Sequence, residues 1–271
     1  FVEYAEWGSG PAVLVVHGAG GGHDQGRLLS QAFAGGEHRW ISVSRFGYLR
    51  STLPADTSPR AQAEAFADLL DGLAIDRAAI VAMSGGVPSA LQFAEHFPDR
   101  TSALVLISSA PFTPLTVADQ SLPIPAWLYQ MLFSSDFIFW VVVQLIPDSL
   151  DSFFDISPAT RTKLSPNDET FVDGLVATFL PVTRRVDGLQ NEGAAINPST
   201  IYILSKITAP TLVIHGKDDG INPFPIGEHA ARSIPGAQFV PVETGGHLLL
   251  GNGNKIRTQV TEFLRENAAS H

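Results

Sequence analysis

The 271-residue sequence contains no cysteine, two methionines and only 16% charged residues. Without cysteine, the chain can form neither a disulfide nor a thiolate metal site. Lys and Arg are also scarce, at 17 against 27 Asp and Glu, which gives a formal net charge of −10. Because nucleic-acid binding requires clustered cations on the protein surface, this charge balance argues against DNA or RNA as a partner.

A long hydrophobic run is missing as well. The most apolar stretch covers ten residues, from Phe137 to Ile146, whereas about 20 are needed to span a bilayer. We therefore expect no integral membrane segment. The first residues show neither the basic region nor the apolar region of a signal peptide, which favours a cytoplasmic protein. Because the chain does not begin with Met, removal of a leader remains an alternative.

Hydrophobic residues make up 45% of the chain, enough for a sizeable core. Apolar runs of strand length lie at 12–17, 40–43, 78–83, 103–107, 211–215 and 238–242. Runs without polar alternation are typical of strands buried on both faces of a parallel sheet. Helical patterns follow at 59–73, 88–97 and 254–267. This alternation predicts an α/β fold with a mostly parallel central sheet and helices on both faces.

Residues 110–208 interrupt the alternation of strands and helices. This segment contains nine prolines and aromatic-rich pieces but no clear strand pattern, and it is too long for a simple loop. We predict a core formed by residues 1–109 and 209–271, with residues 110–208 inserted as a helical cap, or lid.

Large apolar side chains are dense in the predicted cap: Trp127, Tyr129, Met131, Leu132, Phe133, Phe137, Phe139 and Trp140. Asp136 can begin a helix there, because its carboxylate can accept hydrogen bonds from free N–H groups of the first turn. Helical spacing then places Phe137 and Trp140 on one face and Phe139 on an adjacent face. We predict that Phe137 and Trp140 line an apolar substrate pocket; a purely structural role for these rings is the alternative.

A serine occupies a strand-to-helix turn in Val81-Ala82-Met83-Ser84-Gly85-Gly86. Such a turn projects the hydroxyl away from the backbone and needs small residues two positions before and after the serine, here Ala82 and Gly86. A hydroxyl is a weak nucleophile without a base. The candidate base is His247, which follows two glycines in the loop after the last predicted strand.

The base in turn needs an acid that fixes its tautomer. The segment 214–223 offers two adjacent candidates, Asp218 and Asp219, just after a predicted strand, and Glu243 is a weaker alternative. The chain order of serine, aspartate and histidine is that of the α/β hydrolases.

Taken together, these motifs resemble the α/β-hydrolase superfamily, with Ala82 in place of the first glycine of its G-x-S-x-G turn. The family pattern of Gly-x-x-Asp, three residues and Pro, counted back from Pro223, selects Asp219. The resemblance assigns the oxyanion-hole donors to the backbone N–H groups of Ala19, after the His-Gly pair, and Gly85. Tyr48 belongs to a loop similar to the family's glycine turn, where it either lines the pocket or packs beneath the loop.

The resemblance implies a serine hydrolase that needs no cofactor and no metal. It would cleave a carboxylic ester, lactone or thioester of a small, fairly hydrophobic molecule through an acyl-enzyme on Ser84. Carbon–carbon bond hydrolases and aminopeptidases of the same fold remain alternatives, and so does a slow-turnover ligand receptor on a hydrolase scaffold.

Overall fold

The computed structural model describes residues 1–115, 131–197 and 199–268. In these ranges seven strands form one sheet: β1 (Tyr4–Trp7), β2 (Ala12–Val16), β3 (Arg39–Val43), β4 (Ala78–Met83), β5 (Thr101–Ile107), β6 (Thr211–Gly216) and β7 (Gln238–Val242). Their spatial order is β1-β3-β2-β4-β5-β6-β7. All neighbours are parallel except β1 and β3. The predicted, mostly parallel sheet is confirmed.

The helices flank this sheet. They are α1 (His23–Phe33), α2 (Pro59–Gly72), α3 (Val87–His96), α4 (Asp136–Leu145), α5 (Pro158–Arg161), α6 (Pro166–Ala177), α7 (Val186–Gln190), α8 (Glu192–Ala195), α9 (Pro225–Ser233) and α10 (Gly253–Asn267). Short 3₁₀ segments lie at Ser84–Gly86, Pro98–Arg100, Pro147–Phe154, Val182–Arg184 and Leu204–Lys206. The predicted helices over 59–73, 88–97 and 254–267 correspond to α2, α3 and α10.

Both faces of the sheet are buried, because successive side chains of a strand point to opposite sides. In β4, Ile80 enters an apolar cluster with residues of α2, α3 and α9. Its neighbour Val81 enters a second cluster, which contains residues of α1 and α10. This double coverage explains why the strand sequences are apolar without alternation.

The edge strand β1 and helix α1 were not predicted. Strand β1 pairs antiparallel with β3, with Tyr4 opposite Val43, and none of its four residues is buried. A short, half-exposed strand leaves no continuous apolar run in the sequence. Helix α1 follows the glycine-rich segment 18–22 directly, so the pattern of the loop obscured its beginning.

Between β5 and β6 the described residues form helices and 3₁₀ turns without a strand; we call this part of the chain the β5–β6 segment. Phe139, Phe154, Val172 and Val182 of this segment belong to the same apolar cluster as residues of α1 and α10. This part of the segment therefore packs on the face that α1 and α10 cover, whereas Phe112, Leu204 and Ile207, near the two ends of the segment, join the cluster on the other face. Trp127 and Tyr129 lie outside the described residues. Within the described ranges, no helix has the length and apolarity needed to cross a bilayer.

Helix α4 begins at Asp136 as predicted, but a different residue caps it. The Ser135 hydroxyl accepts a hydrogen bond from the backbone N–H of Ile138 at 3.4 Å. The Asp136 carboxylate instead accepts a hydrogen bond from the backbone N–H of Thr183 at 3.0 Å. Asp136 thus joins α4 to the turn at Val182–Arg184.

Candidate active site

Ser84 stands in a strained, sharply turning backbone at the carboxyl end of β4. Its φ angle is 51°, a region that residues other than glycine rarely adopt. The turn also lies against the end of β2, since a Cβ atom on Gly86 would come within 2.7 Å of the carbonyl oxygens of Val16 and His17. Glycine at position 86 permits this approach, so the turn holds the serine at the sheet edge.

A continuous hydrogen-bond chain joins the three predicted residues. Ser84 Oγ lies 3.1 Å from His247 Nε2, and His247 Nδ1 lies 2.9 Å from Asp219 Oδ2. The three residues follow β4, β7 and β6, whose carboxyl ends meet at the same edge of a parallel sheet. Burial raises the pKa of Asp219, but the hydrogen bond from His247 and its charge outweigh burial and hold that pKa below its usual value. Asp219 is therefore ionised at neutral pH.

The two adjacent aspartates have different partners. Asp219 Oδ1 accepts hydrogen bonds from the backbone N–H groups of Ile221 and Asn222 at 2.9 and 2.8 Å, which leaves Oδ2 for His247. The Asp218 carboxylate instead accepts hydrogen bonds from the backbone N–H groups of Gly245 and Gly246, both at 3.0 Å. Asp218 thus shapes the loop that carries the histidine, whereas Asp219 contacts the imidazole.

The third candidate acid, Glu243, does not contact His247. Its carboxylate pairs with Lys217 Nζ at 2.6 Å, and both side chains are exposed.

Asp155, which sequence analysis missed, ties the loops of the acid and the base together. Its Oδ2 atom accepts hydrogen bonds from the backbone N–H groups of Gly220 at 2.7 Å and His247 at 3.3 Å. A Cβ atom added to Gly220 would lie 2.5 Å from the Asp155 carboxylate, and one added to Gly246 would lie 2.9 Å from it. The two glycines leave room for Asp155, and they are the only trace of this contact in the sequence.

Most backbone amides in the loop after β2 are already occupied. Gly18 N–H donates to Gln25 Oε1 at 3.2 Å, Gly20 N–H donates to the Tyr48 hydroxyl at 3.2 Å, and Gly21 N–H donates to the Gly18 carbonyl at 3.4 Å. By contrast, no acceptor among the described residues takes the N–H of Ala19. The N–H of Ala19 is therefore a free donor, at the position that the sequence indicated.

The second expected donor lies close to the first. Gly85 belongs to the first turn of the 3₁₀ segment Ser84–Gly86, where backbone N–H groups lack a partner within the helix. A Cβ atom on Gly85 would lie 3.5 Å from Ala19 N. Gly85, which directly follows Ser84, thus lies close to the Ala19 amide.

A largely buried cluster of Arg45, Glu192 and Tyr48 contacts this loop and supports it. Arg45 Nη2 donates to the Gly18 carbonyl at 3.0 Å and pairs with Glu192 Oε1 at 2.5 Å. The Tyr48 hydroxyl donates to the same carboxylate oxygen. Burial, followed by the Glu192 charge, raises the pKa of Tyr48 well above its usual value, so the hydroxyl keeps its proton. Tyr48 packs beneath the loop, which is one of the two roles considered from the sequence.

His17 contributes to the same support as a neutral ring. Its Nε2 atom accepts a hydrogen bond from the backbone N–H of Arg45 at 3.0 Å, and Nδ1 lies 2.6 Å from the Gly18 carbonyl. Burial, followed by the charge of Arg45, lowers the pKa of His17 well below its usual value. The neutral tautomer with its proton on Nδ1 satisfies both contacts.

An apolar cavity of about 140 Å³ opens beside Ser84 and His247. Its lining consists of Gly18, Ala19, Gln25, Leu29, Met83, Ser84, Phe133, Phe153, Phe154, Leu175, Phe179, Leu189, Ile221, His247 and Leu248. None of these described lining residues carries a permanent charge. Arg185, a fully buried cation of the β5–β6 segment, pairs with Asp24 at 2.6 Å, so its charge is already compensated.

The predicted pocket residues Phe137 and Trp140 are not among the described residues that line this cavity. They are 69% and 49% exposed and stack on each other at the surface. Phe139 is the ring of α4 that turns inward, where it stacks on the cavity residue Phe179 with ring centroids 6.1 Å apart. Helical spacing then directs Phe137 and Trp140 to the opposite side, towards solvent.

Comparison with known proteins shows the family to which the chain belongs. Residues 11–253 match the family described as alpha/beta hydrolase fold. The uncharacterized hydrolase YcgS of Bacillus subtilis is 26% identical over 92% of this chain and 88% of its own length. A 2-hydroxy-6-oxononadienedioate/2-hydroxy-6-oxononatrienedioate hydrolase of Paraburkholderia phymatum is 29% identical over 91% of this chain and 84% of its own. The solved structure of an alpha/beta hydrolase fold protein from Nakamurella multipartita is 28% identical, with a TM-score of 0.81 over 97% of this chain and 95% of its own.

Proposed function

The chain belongs to the α/β-hydrolase family, and we propose that it hydrolyses uncharged carboxylic esters, lactones or thioesters with a short apolar acyl group. The observation that carries this proposal is the hydrogen-bonded chain of Ser84, His247 and Asp219 at the wall of an uncharged, phenylalanine-rich cavity.

The reaction begins at Ser84. His247 Nε2 removes the hydroxyl proton as Oγ attacks the carbonyl carbon, and Asp219 holds the other ring nitrogen and stabilises the imidazolium. The N–H groups of Ala19 and Gly85 donate to the oxyanion that forms. His247 then protonates the leaving alcohol or thiol, which departs and leaves an ester between Ser84 and the acyl group.

Water completes the cycle. His247 Nε2 takes a proton from a water molecule as its oxygen attacks the acyl-enzyme carbonyl, and the same two N–H groups bind the second oxyanion. Collapse of this intermediate returns the proton to Ser84 Oγ and releases the carboxylic acid. Each step uses groups that the chain itself supplies.

The size of the cavity supports a short acyl group. Its volume of about 140 Å³ is close to that of an engineered apolar cavity of about 150 Å³ that binds benzene. An acyl group of roughly six carbon atoms fills such a space. The rings of Phe133, Phe153, Phe154 and Phe179 surround it, which favours an aliphatic or aromatic chain over a polar one.

Hydrolysis of a carbon–carbon bond is the second candidate, because the Paraburkholderia phymatum relative is named for a dienedioate, which carries two carboxylates. Recognition of such a dianion calls for Arg or Lys in the pocket. The described lining residues include neither, and residues 116–130 contain none in the sequence. These observations favour the ester over the dicarboxylate.

A series of p-nitrophenyl esters from acetate to decanoate tests the proposal directly. We expect kcat/KM to be largest for butyrate or hexanoate and to fall at least about tenfold for decanoate, because methylenes that do not fit forfeit about 0.8 kcal/mol of burial each. Initial rates at 405 nm give the profile. No hydrolysis of any ester, combined with cleavage of a 2-hydroxy-6-oxo-dienedioate, would replace this proposal with the second candidate, and one turnover per protein molecule would indicate a receptor.

Tyr48→Phe tests whether Tyr48 supports the loop after β2, which carries the proposed oxyanion donor Ala19. The substitution removes the acceptor of the Gly20 N–H, so we expect kcat to fall about tenfold with little change in KM, less than the 10²–10³ lost with a complete donor. Tyr202→Phe is the matched control, because its buried hydroxyl has no hydrogen-bond partner among the described residues. Steady-state kinetics on p-nitrophenyl butyrate compare the two variants, and equal rates would remove Tyr48 from the proposed mechanism.

A further inference from the structure

A second and larger cavity lies next to the one beside Ser84. It is a groove of about 600 Å³ bounded by α1, the beginning of α6 and the chain from Leu248 to Arg257. Among the described residues, Leu248 is the only one that lines both the groove and the cavity beside Ser84. The two spaces are therefore separated at the residue that directly follows His247.

Neighbouring residues on two helices show the same division. On α1, Leu28 borders the groove and Leu29 borders the cavity; on α6, Phe171 borders the groove and Leu175 borders the cavity. The two spaces thus run side by side between α1 and α6, and Leu248 lies at the boundary. The groove side of the boundary is apolar as well, with Phe33 and Phe171 in edge-to-face contact at 5.3 Å.

Leu248 belongs to the apolar core cluster on this face of the sheet, and backbone contacts fix the chain on either side of it. The preceding residue is fixed through Asp155 and Asp219, and the N–H of Leu249 donates to the Gly246 carbonyl at 3.2 Å. Leu248 is only 4% exposed, yet it borders both the cavity and the groove. An atom beside a void lacks the dispersion contacts that otherwise fix a buried side chain.

We propose that Leu248 is the specificity-determining residue that sets the upper limit of acyl chain length, by closing the cavity beside Ser84 off from the groove. With Leu248 in place, the acyl group has about 140 Å³. Without its side chain, an aliphatic acyl chain longer than about six carbons extends from Ser84 into the groove. The inference rests on the proposed ester hydrolysis and names the feature that makes its substrates short.

Leu248→Ala and Leu29→Ala form a matched pair for the test. Both truncate a leucine that is 4% exposed and lines the cavity, but only Leu248 also borders the groove. We expect Leu248→Ala to raise the ratio of kcat/KM for p-nitrophenyl decanoate over butyrate at least tenfold, as expected when about 1.4 kcal/mol of binding is recovered. Leu29→Ala enlarges the cavity without opening it, so its optimum should shift by no more than one or two carbons. An unchanged ratio in Leu248→Ala, or an equal rise in both variants, would overturn the inference.

A second variant and a labelling assay distinguish a folding defect or a lack of ester hydrolysis from a failure of the Leu248 proposal. Leu248→Val, a smaller truncation, replaces Leu248→Ala if the latter does not fold, and it should raise the same ratio by a smaller factor. The rate at which ethyl and decyl fluorophosphonates label Ser84 reports chain length without any ester turnover. If wild-type protein hydrolyses no ester, the proposed function fails; if it hydrolyses butyrate and both Leu248 variants keep the parental ester and labelling profiles, only the role of Leu248 fails.

Discussion

Ser84→Ala is expected to lower kcat for ester hydrolysis by roughly 10⁵- to 10⁶-fold, because the covalent step has no other nucleophile and single losses within a triad reach this size. The remaining activity should come from the two N–H donors and substrate binding. The protein should keep its fold, since alanine is smaller than serine and, among the described residues, the Ser84 hydroxyl forms hydrogen bonds with the active-site side chains of His247 and Asn222. Active-site titration and circular dichroism measure the two effects separately.

Covalent labelling identifies the nucleophile independently of the rate. A fluorophosphonate should modify wild-type protein once, at Ser84, and should leave Ser84→Ala unlabelled. Ser109→Ala is a suitable control, because Ser109 is buried and its hydroxyl has no hydrogen-bond partner among the described residues. Its rate and labelling should match the wild type. A label that persists in Ser84→Ala would assign the nucleophile to another residue.

The second large effect is expected for Asp219→Asn, with a loss of about 10⁴ in kcat. Asparagine can keep its oxygen towards the N–H groups of Ile221 and Asn222, so the loop should keep its shape. Its amide group then faces His247 Nδ1 and donates a hydrogen bond, which places the ring proton on Nε2. With a proton already on Nε2, the imidazole cannot accept one from Ser84.

Asp218→Asn is the matched control, because it makes the same chemical change one residue away. Asp218 uses one carboxylate oxygen for each of two N–H groups, those of Gly245 and Gly246. Asparagine keeps one of these contacts, so we expect the histidine loop to loosen and the rate to fall only about tenfold, like a positioning defect and not like the loss of a triad member. Equal losses in the two variants, or the reverse order, would show that Asp219 is not the acid that orients His247.

Local motifs explain which parts of the site could be predicted. Ser84, Asp219 and His247 each follow an apolar strand and stand among glycines, prolines or small residues, so a short window of sequence reveals each of them. The sheet was predictable for the same reason, since strands buried on both faces leave continuous apolar runs. Strand β1 lacks that signal because none of its four residues is buried.

Contacts between distant parts of the chain explain why the other residues of the site could not be predicted from the sequence. Asp155 and Glu192 lie 92 and 147 residues from the groups that they bind, His247 and Arg45, and neither has a distinctive neighbourhood in the sequence. The position of Phe137 and Trp140 away from this cavity has a related origin. Helical spacing defines two faces of α4, but only tertiary packing decides which face is covered, and here the ring of Phe179 covers Phe139.

The β5–β6 segment has a consequence for protein engineering. Its Asp155 carboxylate fastens the backbone of the acid and base loops, and its Glu192 carboxylate compensates Arg45 under the loop after β2. A chimera that receives this stretch from a relative would thus lose two anions that the remaining scaffold needs, one of them facing an otherwise unpaired buried cation. Donor stretches should be chosen for carboxylates at these two places before any substrate contact is considered. The β5–β6 segment therefore supplies side chains that hold the loops of the active site in place.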